Sequence, residues 1–178
     1  MIHHPDSQIR CALNRIDLPH DLTVESLFTA VQAMYPKPLE LLRGEPPIEG
    51  LRANGLWLTR PDADGDAMWI APELSGAAAI HSLAHEVGHF LLGHEPVVLP
   101  ARPKAPEPEE FAFLSADFLS GCLIGRTRSQ DGSQDPAYQQ IENEAERFAF
   151  LLRRKADEHA RDTRYGADPL LHRLHHSL

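Results

Sequence analysis

Apolar residues recur at helical spacing at the start of the chain, where Ile9, Leu13 and Ile16 lie four and three apart and Pro19 ends the run. The same spacing returns over 23–35, with Val24, Leu27, Phe28 and Val31 on one side and Pro36 as the stop. Prolines crowd the stretch from 36 to 50 and leave room only for a short strand at 39–43. Gly55-Leu-Trp-Leu-Thr-Arg and Ala67-Met-Trp-Ile-Ala flank the turn-rich Pro61-Asp-Ala-Asp-Gly-Asp, which predicts a β-hairpin. A helix over 75–93 follows, with Ser75 in place as its N-cap. The proline-rich stretch 96–108 reads as a loop, 109–123 as a helix and 126–135 as a polar loop. A long helix starts at Pro136 or Ala137 and runs to 161, its proline tolerated because a first-turn N–H would be unpaired anyway. The end, 169–178, reads as a short helix or a frayed tail. The chain contains no internal repeat, heptad array or glycine-rich phosphate loop. The pattern predicts a mainly helical α+β fold with a small antiparallel sheet or hairpin beside the helix over 75–93.

Composition narrows the function classes. At 178 residues and 42% hydrophobic, the chain is long enough to bury a core. Its net charge of −9 argues against non-specific nucleic-acid binding, and the short basic, His-rich end does not reverse that. Cys11 and Cys122 form no CxxC, so neither a disulfide framework nor a thiolate metal site is expected. No stretch has the run of apolar residues a membrane span needs, and the N-terminus lacks the apolar core of a signal peptide. The expectation is a cytoplasmic protein.

The chemistry concentrates in His85-Glu86-Val87-Gly88-His89. Positions i and i+4 of a helix share a face, so both imidazoles can point at one ion while Glu86 flanks it. Neutral imidazole is a good Zn²⁺ ligand, and a catalytic zinc keeps one position for water, whose proton a nearby carboxylate can take. Glu86 is the candidate base. The string lies in an apolar helix, where two unpaired imidazoles would be costly to bury. A third ligand at the metzincin spacing fails, because that position is Glu95. The better source is Ile141-Glu142-Asn143-Glu144-Ala145-Glu146 and the residues after it. Glu142, Ala145, Glu146 and Ala149 share a helical face, and the alanines would allow close packing against another helix. Glu142 could then ligate zinc and Glu146, one turn on, accept the N–H of a ligating histidine. Glu144 is the rival ligand, out of phase by two residues. The plain alternative is an exposed acidic face paired with arginines.

HEVGH followed by Phe-Leu-Leu-Gly-His94, the preceding hairpin and the downstream Glu-x-x-Ala-x-x-Phe-Ala block together resemble the ImmA/IrrE family of zinc metallopeptidases, over about residues 50–155. The resemblance implies a zincin-like catalytic domain at 51–165, preceded by a helical segment at 1–50 and followed by a tail at 166–178. It implies Zn²⁺ on His85, His89 and Glu142 with Glu86 as general base. It also implies a protein substrate, a helix-turn-helix repressor or antitoxin partner that is cleaved or otherwise inactivated. The alternative function is a zinc-containing regulatory or toxin-type protein that binds its partner without proteolysis.

Further residues are weighed against plainer roles. His94 and Tyr138 are candidates for stabilising an oxyanion, though a helix-end histidine explains the first equally well and ordinary packing at a helix start explains the second better. His81, four residues before His85 on the same face, could line the cleft but reads more readily as a solvated or capping histidine. Asp62-Ala-Asp64-Gly-Asp66 reads as a polar hairpin tip rather than a calcium loop. His172, His175 and His176 read as tail. The hairpin could also receive an extended substrate as an added strand.

Overall fold

The computed structural model describes residues 5–47, 53–59, 64–98 and 136–166. Helix α1 (Pro5–Arg15) and helix α2 (Val24–Gln32) form where the periodicity places them. Thr23 caps α2 by accepting from the Ser26 N–H at 3.0 Å, while the Ser26 hydroxyl accepts from the Thr23 N–H at 2.9 Å. Strands β1 (Leu39–Arg43), β2 (Gly55–Thr59) and β3 (Asp66–Ile70) follow, then helix α3 (Gly76–Leu92), strand β4 (Val97–Val98) and helix α4 (Pro136–Gly166). Ser75 stands at the N-cap of α3 with extended backbone, but its side chain makes no capping hydrogen bond. The expected helix at 109–123, the loop at 126–135, the tail at 169–178 and Cys122 lie outside the described residues. So do 99–108 of the proline-rich stretch. Cys11 is exposed and free. Among the described residues no helix is long and apolar enough to cross a membrane.

The sheet is mixed, with strand order β1-β3-β2-β4, and not the antiparallel sheet expected. The hairpin forms as the pattern predicts, β2 and β3 pairing antiparallel with Trp57 opposite Met68. The difference is β1, which pairs parallel to β3 with Leu39 opposite Asp66. Asp66 explains that register. Its N–H donates to the Pro38 carbonyl at 2.9 Å, and its buried carboxylate receives the Tyr35 hydroxyl at 2.5 Å, the Thr59 hydroxyl at 2.7 Å and the Lys37 ammonium at 3.2 Å. The start of β1 is thereby clamped beside the start of β3. Residues 97–98, expected in a loop, instead pair parallel with Leu58 and Thr59.

Burial of Asp66 alone would raise its carboxyl, but the hydrogen bonds from Tyr35, Thr59 and Lys37 and the lysine charge outweigh that and hold it below the ordinary aspartate value. A carboxyl lowered in the folded state contributes stability that is present above its unfolded pKa and lost as pH falls through the folded one. Stability should therefore drop from about pH 4 downward, where the unfolded chain takes up the proton first. Asp66→Asn is expected to be less stable at neutral pH and to show a shallower acid limb in denaturant titrations.

One apolar cluster joins α1 (Ile9, Leu13), α2 (Leu27, Val31), one face of the sheet (Trp57, Met68, Ile70), α3 (Leu83, Val87) and α4 (Phe148, Leu152). The opposite face of the sheet buries Leu56, Leu58, Ala67 and Trp69. Strands buried on both faces read as continuous apolar runs, as Ala67-Met-Trp-Ile does. Helix α1 is also tied down by polar contacts: Arg15 donates to the Leu91 carbonyl at 3.1 Å and Lys155 to the Leu13 carbonyl at 3.0 Å.

The contact that positions the site is α3 on α4. Ala145 and Ala149 are fully buried there, as their small size and shared face anticipate. Opposite them, a Cβ on Gly88 would stand 3.0 Å from a Phe148 ring carbon, 3.2 Å from the Ala145 carbonyl oxygen and 3.3 Å from its Cα. Two of those neighbours are backbone and cannot give way. Gly88→Val should overpack the contact at a cost of about 1–3 kcal/mol, lowering Tm by roughly 2–4 °C for each kcal/mol in a chain of this size. Thermal unfolding measures it.

Candidate metal centre

Helix α3 carries His81, His85 and His89 four residues apart, so the three imidazoles rise along the face that meets α4. Glu142 and Glu146 repeat the same interval on α4, and Ala149 follows three residues on along that face. Close packing of the two helices brings one nitrogen each from His85 and His89 and one oxygen of Glu142 within 4.8 Å of one another. His85 Nε2 lies 3.1 Å from His89 Nε2 and 3.3 Å from Glu142 Oε2, and His89 Nε2 lies 3.6 Å from Glu142 Oε1. Donors at zinc bond lengths of about 2.05 Å sit about 3.3 Å apart across a tetrahedral edge. The donor set and its spacing therefore fit a metal ion of that kind.

The carboxylates around this group are shared out by helical phase. Glu146 holds the histidines on its side: its Oε1 is 3.0 Å from His81 Nε2 and its Oε2 is 3.5 Å from His85 Nδ1. His81, still partly exposed, is thus paired with a carboxylate, a cross-helix contact that spacing along one helix does not reveal. Glu144 turns away from the three donors, with its Oε2 3.4 Å from His94 Nε2 and its Oε1 accepting from Gln140 at 2.9 Å. Of the two rival glutamates, the structure brings Glu142 to the histidines. His94 also lies against the site, its Nδ1 2.9 Å from His89 Nδ1. With both ring nitrogens engaged, it has none facing an oxyanion. The Tyr138 hydroxyl donates to Glu142 and is likewise committed.

Glu86 is 8% exposed and accepts from the Trp57 backbone N–H on the rim of β2. Burial pushes its carboxyl up to about 7; the Glu142 charge adds to this, while the His85 charge and the Trp57 hydrogen bond oppose it. For His85, burial favours the neutral ring, but the Glu142 hydrogen bond and the charges of Glu86, Glu142 and Glu146 outweigh it and raise the pKa. Glu142 shows the mirror case: burial raises it, and the His85 hydrogen bond, the two histidine charges and Tyr138 bring it below the ordinary value. Glu86 thus stands buried beside the three donors with its carboxyl raised.

These residues open onto a cleft of about 1260 Å³ whose walls include Trp57, Leu74, His85, Glu86, Tyr138 and Glu142. The outer edge of β2 is partly taken, since β4 pairs with Leu58 and Thr59 and the Trp57 N–H is bound to Glu86. An extended substrate therefore does not find a free strand edge along the whole of β2. The Asp66 end of the hairpin tip is structural, its carboxylate being engaged within the fold. His172, His175 and His176 lie outside the described residues. No family model matches the chain, and neither a curated protein nor a solved structure matches it.

Proposed function

We propose that the protein is a zinc-dependent endopeptidase of zincin-like architecture, acting on a protein substrate. The observation that carries this reading is the convergence of His85, His89 and Glu142 with Glu86 at the rim of one cleft. His85, His89 and Glu142 would hold the ion. When bound, zinc supplies Lewis acidity toward the scissile carbonyl and acidifies a water. Glu86, buried beside the three donors, would take the water proton at its carboxylate and return it to the leaving amine. Glu146 and Tyr138 orient His85 and Glu142, respectively. A helix-turn-helix repressor or antitoxin as substrate, and a cytoplasmic location, rest on the resemblance of the HEVGH and Glu-x-x-Ala segments to the ImmA/IrrE family. The test is hydrolysis of a candidate repressor by wild type and by Glu86→Gln. Cleavage by wild type alone supports the peptidase; partner inactivation that survives in Glu86→Gln assigns a binding protein instead.

A further inference from the structure

Around the two histidines the surroundings are unequal. His85 meets a carboxylate directly, at Glu146, whereas His89 meets a second imidazole that is itself backed by a carboxylate. The geometry points to His94 and Glu144 as a positioning dyad that sets the tautomer and ring orientation of His89 and so the affinity of the centre for zinc. The inference rests on the zinc reading and adds to it.

The backbone builds this dyad. Gly93 ends α3 in the left-handed conformation, at φ 78° and ψ 26°. That reversal lets the His94 N–H donate to the His89 carbonyl at 2.9 Å, the six-residue closure that a glycine-terminated helix makes. His94 is thereby folded back onto the residue it serves, joined to His89 by its backbone and by its ring. Side chains with a Cβ rarely adopt this φ, which explains the glycine in Leu92-Gly93-His94.

Proton placement then follows from valence. A His89 whose Nε2 lone pair faces the ion carries its proton on Nδ1. That proton can be donated to His94 Nδ1 at 2.9 Å when His94 carries its own proton on Nε2. The His94 Nε2–H points at Glu144 Oε2, 3.4 Å away, and Glu144 is steadied by Gln140. His94 and Glu144 side chains are 10% and 18% exposed, so water competes weakly for these contacts. With a single proton on His94, placed on Nε2 toward Glu144, the chain of partners is consistent for one tautomer of His89, the one that presents Nε2 to His85 and Glu142. This also explains why Glu144 lies beside the centre without belonging to it.

The experiment has two readouts, neither of which is catalysis. Zinc affinity is measured by chelator competition for wild type, His94→Ala, His94→Asn and Glu144→Ala, and histidine tautomers of the zinc-loaded wild type are read from ¹⁵N shifts. His94→Ala is expected to bind zinc about 10–100-fold more weakly, with a smaller loss in Glu144→Ala. His94→Asn, whose side-chain oxygen can accept where Nδ1 did, is expected to recover most of the loss. The ¹⁵N shifts should show His89 protonated at Nδ1. Wild-type affinity in His94→Ala, or equal losses in His94→Ala and His94→Asn, overturns the dyad while leaving the zinc reading standing. So does a wild-type His89 bound through Nδ1, which needs no variant to fold. Wild type that binds no zinc overturns both.

Discussion

Replacing Glu86 by Gln is expected to abolish peptide hydrolysis, by about 10²–10⁴-fold, while zinc content and fold persist. The side chain is not among the three converging donors, so the ion keeps its ligands. The substitution is nearly isosteric, and Gln retains an acceptor for the Trp57 N–H. Burial already favours the uncharged form of Glu86, so a neutral amide there should not lower Tm at neutral or mildly alkaline pH. Charge is what the buried carboxyl costs, and proton uptake is what it would supply in the proposed reaction. The variant removes both. Three measurements on one preparation check this: cleavage of the substrate, zinc per chain and thermal unfolding. Hydrolysis that survives in Glu86→Gln would remove the general base from the mechanism.

Wild type is expected to hold one zinc per chain, and Glu142→Ala to lose it or to bind it more than about 100-fold more weakly. The bound follows because removal of an outer partner costs about 10–100-fold, and a ligand costs more. Two imidazoles four residues apart on one helix remain in that variant, so weak residual binding is expected rather than none. Glu144→Ala should remain far closer to wild type, since Glu144 faces His94. Elemental analysis of tag-free protein separates the two. One zinc in Glu142→Ala together with its loss in Glu144→Ala would reverse the assignment of the third ligand.

Some parts of this protein are legible because they are local. The helical interval that puts His85 and His89 on one face holds wherever the helix goes, and the two apolar runs around a turn-rich centre make 55–59 and 66–70 a hairpin for equally local reasons. Pro19, Pro36 and Pro136 bound their helices because a proline lacks an N–H and fixes φ, whatever the fold. The small residues Ala145 and Ala149 announce a close helix contact for the same reason, their volume being a property of the residue.

Other parts depend on which elements meet. The parallel placement of β1 follows from the Asp66 carboxylate finding Tyr35, Lys37 and Thr59, residues 7 to 31 positions away. The fates of Glu142, Glu144 and Glu146 differ although the three sit within two turns of one helix, because α3 packs against a single stripe of α4. His94 follows a helix-ending glycine, and its sequence position alone leaves its partner open; the left-handed turn at Gly93 folds it back onto His89. The sequence by itself determined the amphipathic elements, the hairpin and the pairing of His85 with His89, because backbone periodicity and residue volume act over a few residues. Helical phase already favoured Glu142 over Glu144; the tertiary structure alone decided the partners of the two histidines and the order of the strands, because those depend on contacts between segments far apart in the chain.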